Sequence, residues 1–91
     1  MRLDKFLKVS RLIKRRTLAK EVCDGGGVEV NRRPAKAATE VKPGDIITLR
    51  FGNRWQTVEV LGTPESIAAD RAKEIYRVLA EGKAGDNKNL T

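Results

Sequence analysis

The stretch RLDKFLKVSRLIKRRTLAKEVCDGGGVEVN, residues 2–31, changes its period once, at the run of glycines, and that change decides the fold. Leu3, Phe6 and Leu7 are spaced i, i+3, i+4, with Ser10 one turn further along the same face. This spacing predicts an amphipathic helix over about residues 3–11, with Lys5 and Lys8 on its outer face. Leu12 falls off the stripe, so the helix ends or bends there. A second helix is predicted from Thr17 to Cys23, with Thr17 capping its first N–H groups and Gly25–Gly26–Gly27 stopping it. Leu18 and Val22 mark its inner face, with Ala19 and Cys23 beside them. Helices this short are marginal alone and must pack on each other and on a sheet.

After the glycines the period becomes two. Val28–Glu29–Val30 alternates as a strand, Asn31–Arg32 is a turn candidate, and Pro34 confines the segment around Arg33–Lys36 to an edge or a broken strand. VKPGD, residues 41–45, reads as a tight turn delivering Ile46–Ile47–Thr48–Leu49 as a strand. FGNR, residues 51–54, is the next turn, and Trp55 to Val60 alternates as the last strand. Thr63 as cap with Pro64 in the first turn predicts a C-terminal helix over residues 63–81, supported by Ile75, Val78 and Leu79 and stopped at Gly82. The polar residues 82–91 read as a flexible tail. The fold class is α+β: two short N-terminal helices packed on a small antiparallel sheet, plus a C-terminal helix. The expected division is a domain with its sheet over residues 1–62, the helix packed on it, and the tail.

Ninety-one residues make one domain with a modest core, so a large internal substrate pocket is not expected. No apolar run approaches the length of a membrane span, and the first residues lack the apolar segment of a secretory signal. The single cysteine, Cys23, excludes an intrachain disulfide, and the absence of histidine removes the usual zinc ligand and the usual neutral-pH general base. Neither cofactor, metal site nor catalytic constellation is expected. Cys23 reads as a small buried residue, and Trp55 and Tyr76 as packing residues, because so few aromatics cannot form a stacking platform.

The net charge of +7 matters for where it sits. Residues 1–20 hold Arg2, Lys5, Lys8, Arg11, Lys14, Arg15, Arg16 and Lys20 against Asp4 alone, whereas the remainder is balanced. Charge needed only for solubility could be spread out. Concentration in one segment is the footprint of a phosphate-binding surface. Arg15 and Arg16 also precede the second helix, where the helix dipole disfavours cations unless an anion is shared between them and the free N–H groups. The competing readings are an ordinary solvated face, a membrane-surface helix and a DNA-binding helix-turn-helix. Asp4 can pair with Lys8, position Arg11 or Arg16, or accept a hydrogen bond from a base, the structural role being favoured.

The order of motifs resembles the S4 RNA-binding domain family. Its marks here are Arg2–Leu3–Asp4, Arg11 near the end of the first helix, Arg16-x-x-Ala19, Gly26-x-Val28-x-Val30–Asn31 and Pro43–Gly44–Asp45. They cover residues 1–50, and the short chain with its C-terminal extension is similar to the Hsp15-like group. The resemblance implies an S4 (alpha-L) fold with Leu3, Leu7, Ala19, Val28 and Val30 in the core. It also implies RNA or tRNA contact by Arg2, Asp4 and Arg16, with Arg11 and Lys14 on the same surface. The candidate RNA-binding set is therefore Arg2, Asp4, Lys5, Lys8, Arg11, Lys14, Arg15, Arg16 and Lys20.

For function, the resemblance implies a non-enzymatic, cytoplasmic, ribosome-associated factor of ribosome-associated quality control. Its expected partners are the large ribosomal subunit through its rRNA, peptidyl-tRNA in the P site, and the protein that adds alanine tails to the nascent chain. It is expected to act as a monomer with no membrane partner. An Hsp15-like heat-shock factor recycling stalled large subunits is the nearest alternative. One departure stands out: Asn31–Arg32 replaces the family's usual Asn–Gly, and arginine is strained at the positive φ that a tight turn requires.

Overall fold

The computed structural model describes residues 1–83. Helix α1 spans Leu3–Val9 and helix α2 spans Arg16–Asp24. Five strands follow: β1 Val28–Val30, β2 Arg33–Pro34, β3 Ile46–Phe51, β4 Arg54–Val60 and β5 Tyr76–Lys83. They form one antiparallel sheet in the order β2-β1-β3-β4-β5. Both helices lie on one face of it. Leu3, Phe6, Leu7, Ala19 and Cys23 are fully buried in a single core with Val28, Ile47, Val58 and Val60, and Val30 joins them; Leu18 and Val22, expected on the inner face of α2, are only partly buried and pack against its edge.

Helix α1 ends two residues earlier than its spacing predicts, and the cause is local. The Ser10 N–H bonds the Phe6 carbonyl, and its hydroxyl bonds the Leu7 carbonyl at 3.2 Å. Arg11 then adopts φ 65°, left-handed backbone, which lets the Ile13 N–H return to the Leu7 carbonyl and drops Ile13 into the core. Helix α2 starts after Arg15, with no side-chain cap, so Thr17 is not the cap expected from the sequence. At its far end Gly27 lets α2 meet β3. A Cβ there would stand 2.8 Å from Val22 Cγ1 and 2.9 Å from the Arg50 carbonyl oxygen, closer than packing allows.

The turn at Asn31–Arg32 forms despite the arginine. Both residues have positive φ, 53° and 67°, which is the conformation of a type I′ hairpin turn. The Asn31 side chain accepts the Ile46 N–H at 2.9 Å and donates to Asp45 Oδ1 at 3.1 Å. Asp45 Oδ2 in turn accepts the Lys42 N–H. Asn31 thus ties this hairpin to the Pro43–Gly44–Asp45 turn, and Arg32 tolerates the strain that glycine would avoid.

The α+β class holds, but the extent of the C-terminal helix is corrected. Helical structure after β4 is confined to a 3-10 helix, Ala69–Ile75, and no helix opens at Thr63–Pro64. Tyr76–Lys83 is strand β5, paired to β4 from Val60↔Tyr76 to Arg54↔Lys83 with a bulge at Thr57/Val58. Without it β4 would present a full row of unpaired backbone groups at the sheet edge. Cross-strand pairs add to the choice: Arg77 donates to Glu59, and Gln56 donates to Glu81 at 2.9 Å. The proposed division at residue 62 therefore cuts a single sheet. Of the expected tail, Gly82 and Lys83 belong to β5, and residues 84–91 lie outside the described residues.

Candidate nucleic-acid interface

Arg2 is placed by its backbone. The Leu3 and Asp4 N–H groups, left free at the start of α1, donate to the Thr39 and Ala37 carbonyls at 2.8 and 3.2 Å. The Val41 N–H returns to the Met1 carbonyl, so the first residues are stitched to the segment after β2. This fixes Arg2 immediately beside the first turn of α1.

Asp4 is only 2% exposed, and it gathers two arginines. Arg2 reaches it with Nε at 3.2 Å and Nη2 at 3.4 Å. Arg16, from the first turn of α2, reaches it with Nη2 at 3.5 Å and Nε at 3.4 Å. The Lys5 N–H completes the set at 2.8 Å. Burial pushes the Asp4 carboxyl upward, but the hydrogen bond and charge of Arg16, then those of Arg2, outweigh it and hold the group below its ordinary value. It therefore stays ionised at neutral pH, with its oxygens engaged by the two arginines and the Lys5 N–H. Its geometry makes it the anchor of two guanidinium groups whose side chains are 47% and 48% exposed. Of the sequence readings for Asp4, the pairing to Arg16 is the one realised; the pairs with Lys8 and Arg11 are not formed.

The other candidates divide by exposure and partner. Arg11, Lys14, Arg15 and Lys20 are exposed, and none has an ion pair among the described residues. Lys8 is half-buried on α1. Lys5 is half-buried and paired with Glu65 from the segment after β4, so part of its charge is neutralised by a residue no local pattern connects to it. In the first turn of α2 the N–H groups of Arg16, Thr17 and Leu18 have no acceptor among the described residues. Two guanidinium groups on one carboxylate, four further exposed cations and an uncapped helix start thus supply the α1–α2 region with groups able to hold an anion.

Cys23 is fully buried, and burial first, then the charges of Asp4 and Asp24, pushes its thiol up to about 11. It is inert at neutral pH. Among the described residues no cluster of metal-ligating side chains is present, and no helix is long and apolar enough to cross a membrane.

Two short helices on a small antiparallel sheet, with a basic face built at their junction, define an S4-type nucleic-acid-binding domain. Residues 1–47 match the S4 domain. The RQC P-site tRNA stabilizing factor of Bacillus subtilis (strain 168) is 54% identical over 86 residues, spanning 94% of this chain and 100% of that protein. Heat shock protein 15 of Escherichia coli (strain K12) is 38% identical over 82 residues, spanning 89% of this chain but 62% of that protein. The trimeric structure of Vibrio cholerae heat shock protein 15 superposes with a TM-score of 0.81 at 36% identity, covering 88% of this chain and 82% of that one. The chain belongs to the S4-domain family, in the branch formed by the RQC P-site tRNA stabilizing factors.

Proposed function

We propose that this protein is a non-enzymatic RNA-binding factor that stabilises P-site tRNA on the large ribosomal subunit during ribosome-associated quality control. The observation that carries the proposal is the Arg2–Asp4–Arg16 cluster on the basic face of a chain 54% identical to a factor bearing that description. A buried carboxylate fixes two forked cations ahead of binding, so little side-chain freedom is lost when each grips a phosphate. Structured RNA offers backbone and 2′-hydroxyl groups in fixed positions, which suits a rigid basic face. Bridging rRNA and tRNA, the protein stabilises the tRNA-occupied subunit by linkage, because it binds that state better than the empty one. The reading places it in the cytoplasm on the large subunit, working as a single copy alongside the alanine-tailing protein. Purification of the tagged protein should recover large subunits carrying peptidyl-tRNA. Recovery of free RNA alone would contradict the proposal.

The likeness to heat shock protein 15 supports a second reading, recycling of stalled large subunits. The two separate in the cell: under the first, deleting the gene abolishes nascent-chain tailing; under the second, tailing persists.

Binding is expected to weaken steeply with salt. About four to six phosphate contacts correspond to a loss of about 10²–10³-fold between 50 and 200 mM salt. A flat response in a filter or sedimentation assay would rule out a phosphate clamp.

Arg11 offers a sharper check. A non-glycine residue in left-handed backbone costs about 1–2 kcal/mol, and the chain retains an exposed arginine there at φ 65°. Replacing Arg11 by glycine is expected to leave stability unchanged or raised by up to about 1 kcal/mol. Subunit affinity is expected to fall several-fold at the same time. Thermal melts and subunit binding read the two effects separately, and unchanged affinity would remove Arg11 from the interface.

A further inference from the structure

The β3–β4 hairpin runs on past the helices, and its tip has a chemistry that the helical face does not use. Its turn is Gly52–Asn53, with positive φ at Gly52 (64°) and not at Asn53, the pattern of a type II′ turn. Phe51 follows Ile47 and Leu49 on the helix-bearing side of the sheet. The core ends at Leu49, however, which is 4% exposed, while Phe51 is 43% exposed. Arg54 stands directly opposite Phe51, exposed and with no carboxylate partner among the described residues. On the other side of the hairpin Arg50 stands opposite Trp55 and makes only a long 3.7 Å pair with Glu29. No acidic residue occurs between Asp45 and Glu59.

The tip is joined to the basic face through α2. The Arg50 N–H donates to the Gly27 carbonyl at 2.7 Å, just beyond the C-terminus of α2. Arg16 opens the same helix. Nine helical residues rise by about 12–13 Å. A strand gripped at Arg16 therefore has the tip within reach of its neighbouring nucleotides, on the same side of the sheet.

Resting on the RNA-binding reading above, we infer that this tip is a second RNA contact, stacking one unpaired base on the Phe51 ring with its phosphate held by Arg54. An exposed phenyl ring adds nothing to the core, whereas every base has a π face to set against it. The cation beside it favours RNA over an apolar protein surface, and the contact carries no demand for a particular base.

Full-length Phe51→Ala and Phe51→Leu are expected to bind isolated large subunits about tenfold more weakly, with Phe51→Tyr close to wild type and all three melting with the native protein. The leucine variant keeps apolar bulk and loses the ring face, so it separates stacking from packing. Arg54→Gln is expected to lower the salt slope by about one contact, while the Phe51 variants leave it unchanged. With p-benzoylphenylalanine at position 51, irradiation on the subunit should mark an rRNA or tRNA nucleotide. Leucine-variant affinity equal to wild type, or cross-links to ribosomal protein alone, would overturn the inference. If Arg16→Ala still weakens binding in the same assay, only the tip proposal falls; if no variant changes it, the RNA reading itself falls.

Discussion

Arg16→Ala is expected to weaken binding to the large ribosomal subunit by about 10–100-fold, the loss of one or two charge-assisted hydrogen bonds to phosphate. Its effect on stability should be much smaller, about 1 kcal/mol or less. Arg16 is half exposed, and after its removal Asp4 keeps Arg2 and the Lys5 N–H as partners. The salt slope should also fall by about one contact. A loss of stability matching the loss of affinity would make Arg16 a structural residue that only happens to lie on the basic face.

Asp4→Asn should weaken binding nearly as much, about tenfold, although Asp4 is buried behind the two arginines. The amide keeps one acceptor but no charge, so Arg2 and Arg16 lose the anchor that aims both forks. The effects of Asp4→Asn and Arg16→Ala should therefore be strongly non-additive in a double-mutant cycle. Acid titration gives an independent signature. The Asp4 carboxyl is held below its ordinary value of 3.8, so its contribution to stability is full above that pH. It is lost as pH falls through the depressed native value. The wild-type protein should lose that contribution in acid, and the asparagine variant should lack this part of the acid transition. Wild-type affinity in Asp4→Asn would separate the buried cluster from RNA binding.

Local pattern made the N-terminal half legible. Leu3, Phe6 and Leu7 fixed the buried side of α1, and the glycines after Asp24 marked the switch from helix to strand. The basic face was legible because its charge is confined to twenty residues. What escaped is non-local. The spacing of Ile75, Val78 and Leu79 imitates a helix, yet pairing with β4 outweighs it, and the bulge at Thr57/Val58 interrupts the simple alternation of the partner. Arg2 and Arg16 are far apart in sequence, and only the packing of α1 on α2 brings both to one carboxylate. Nothing local announces the burial of Asp4, whose partner could not be chosen among Lys8, Arg11 and Arg16 from spacing alone. The Lys5–Glu65 pair was invisible for the same reason.

The α1–α2 face is expected to grip RNA on a tRNA-bearing large subunit. Electron cryo-microscopy of the protein bound to large subunits carrying peptidyl-tRNA tests it most directly. Arg2 and Arg16 should stand against phosphates of rRNA and P-site tRNA, with Asp4 still bridging them from behind. Density that turns this face to solvent, or that appears equally on subunits without tRNA, would contradict it.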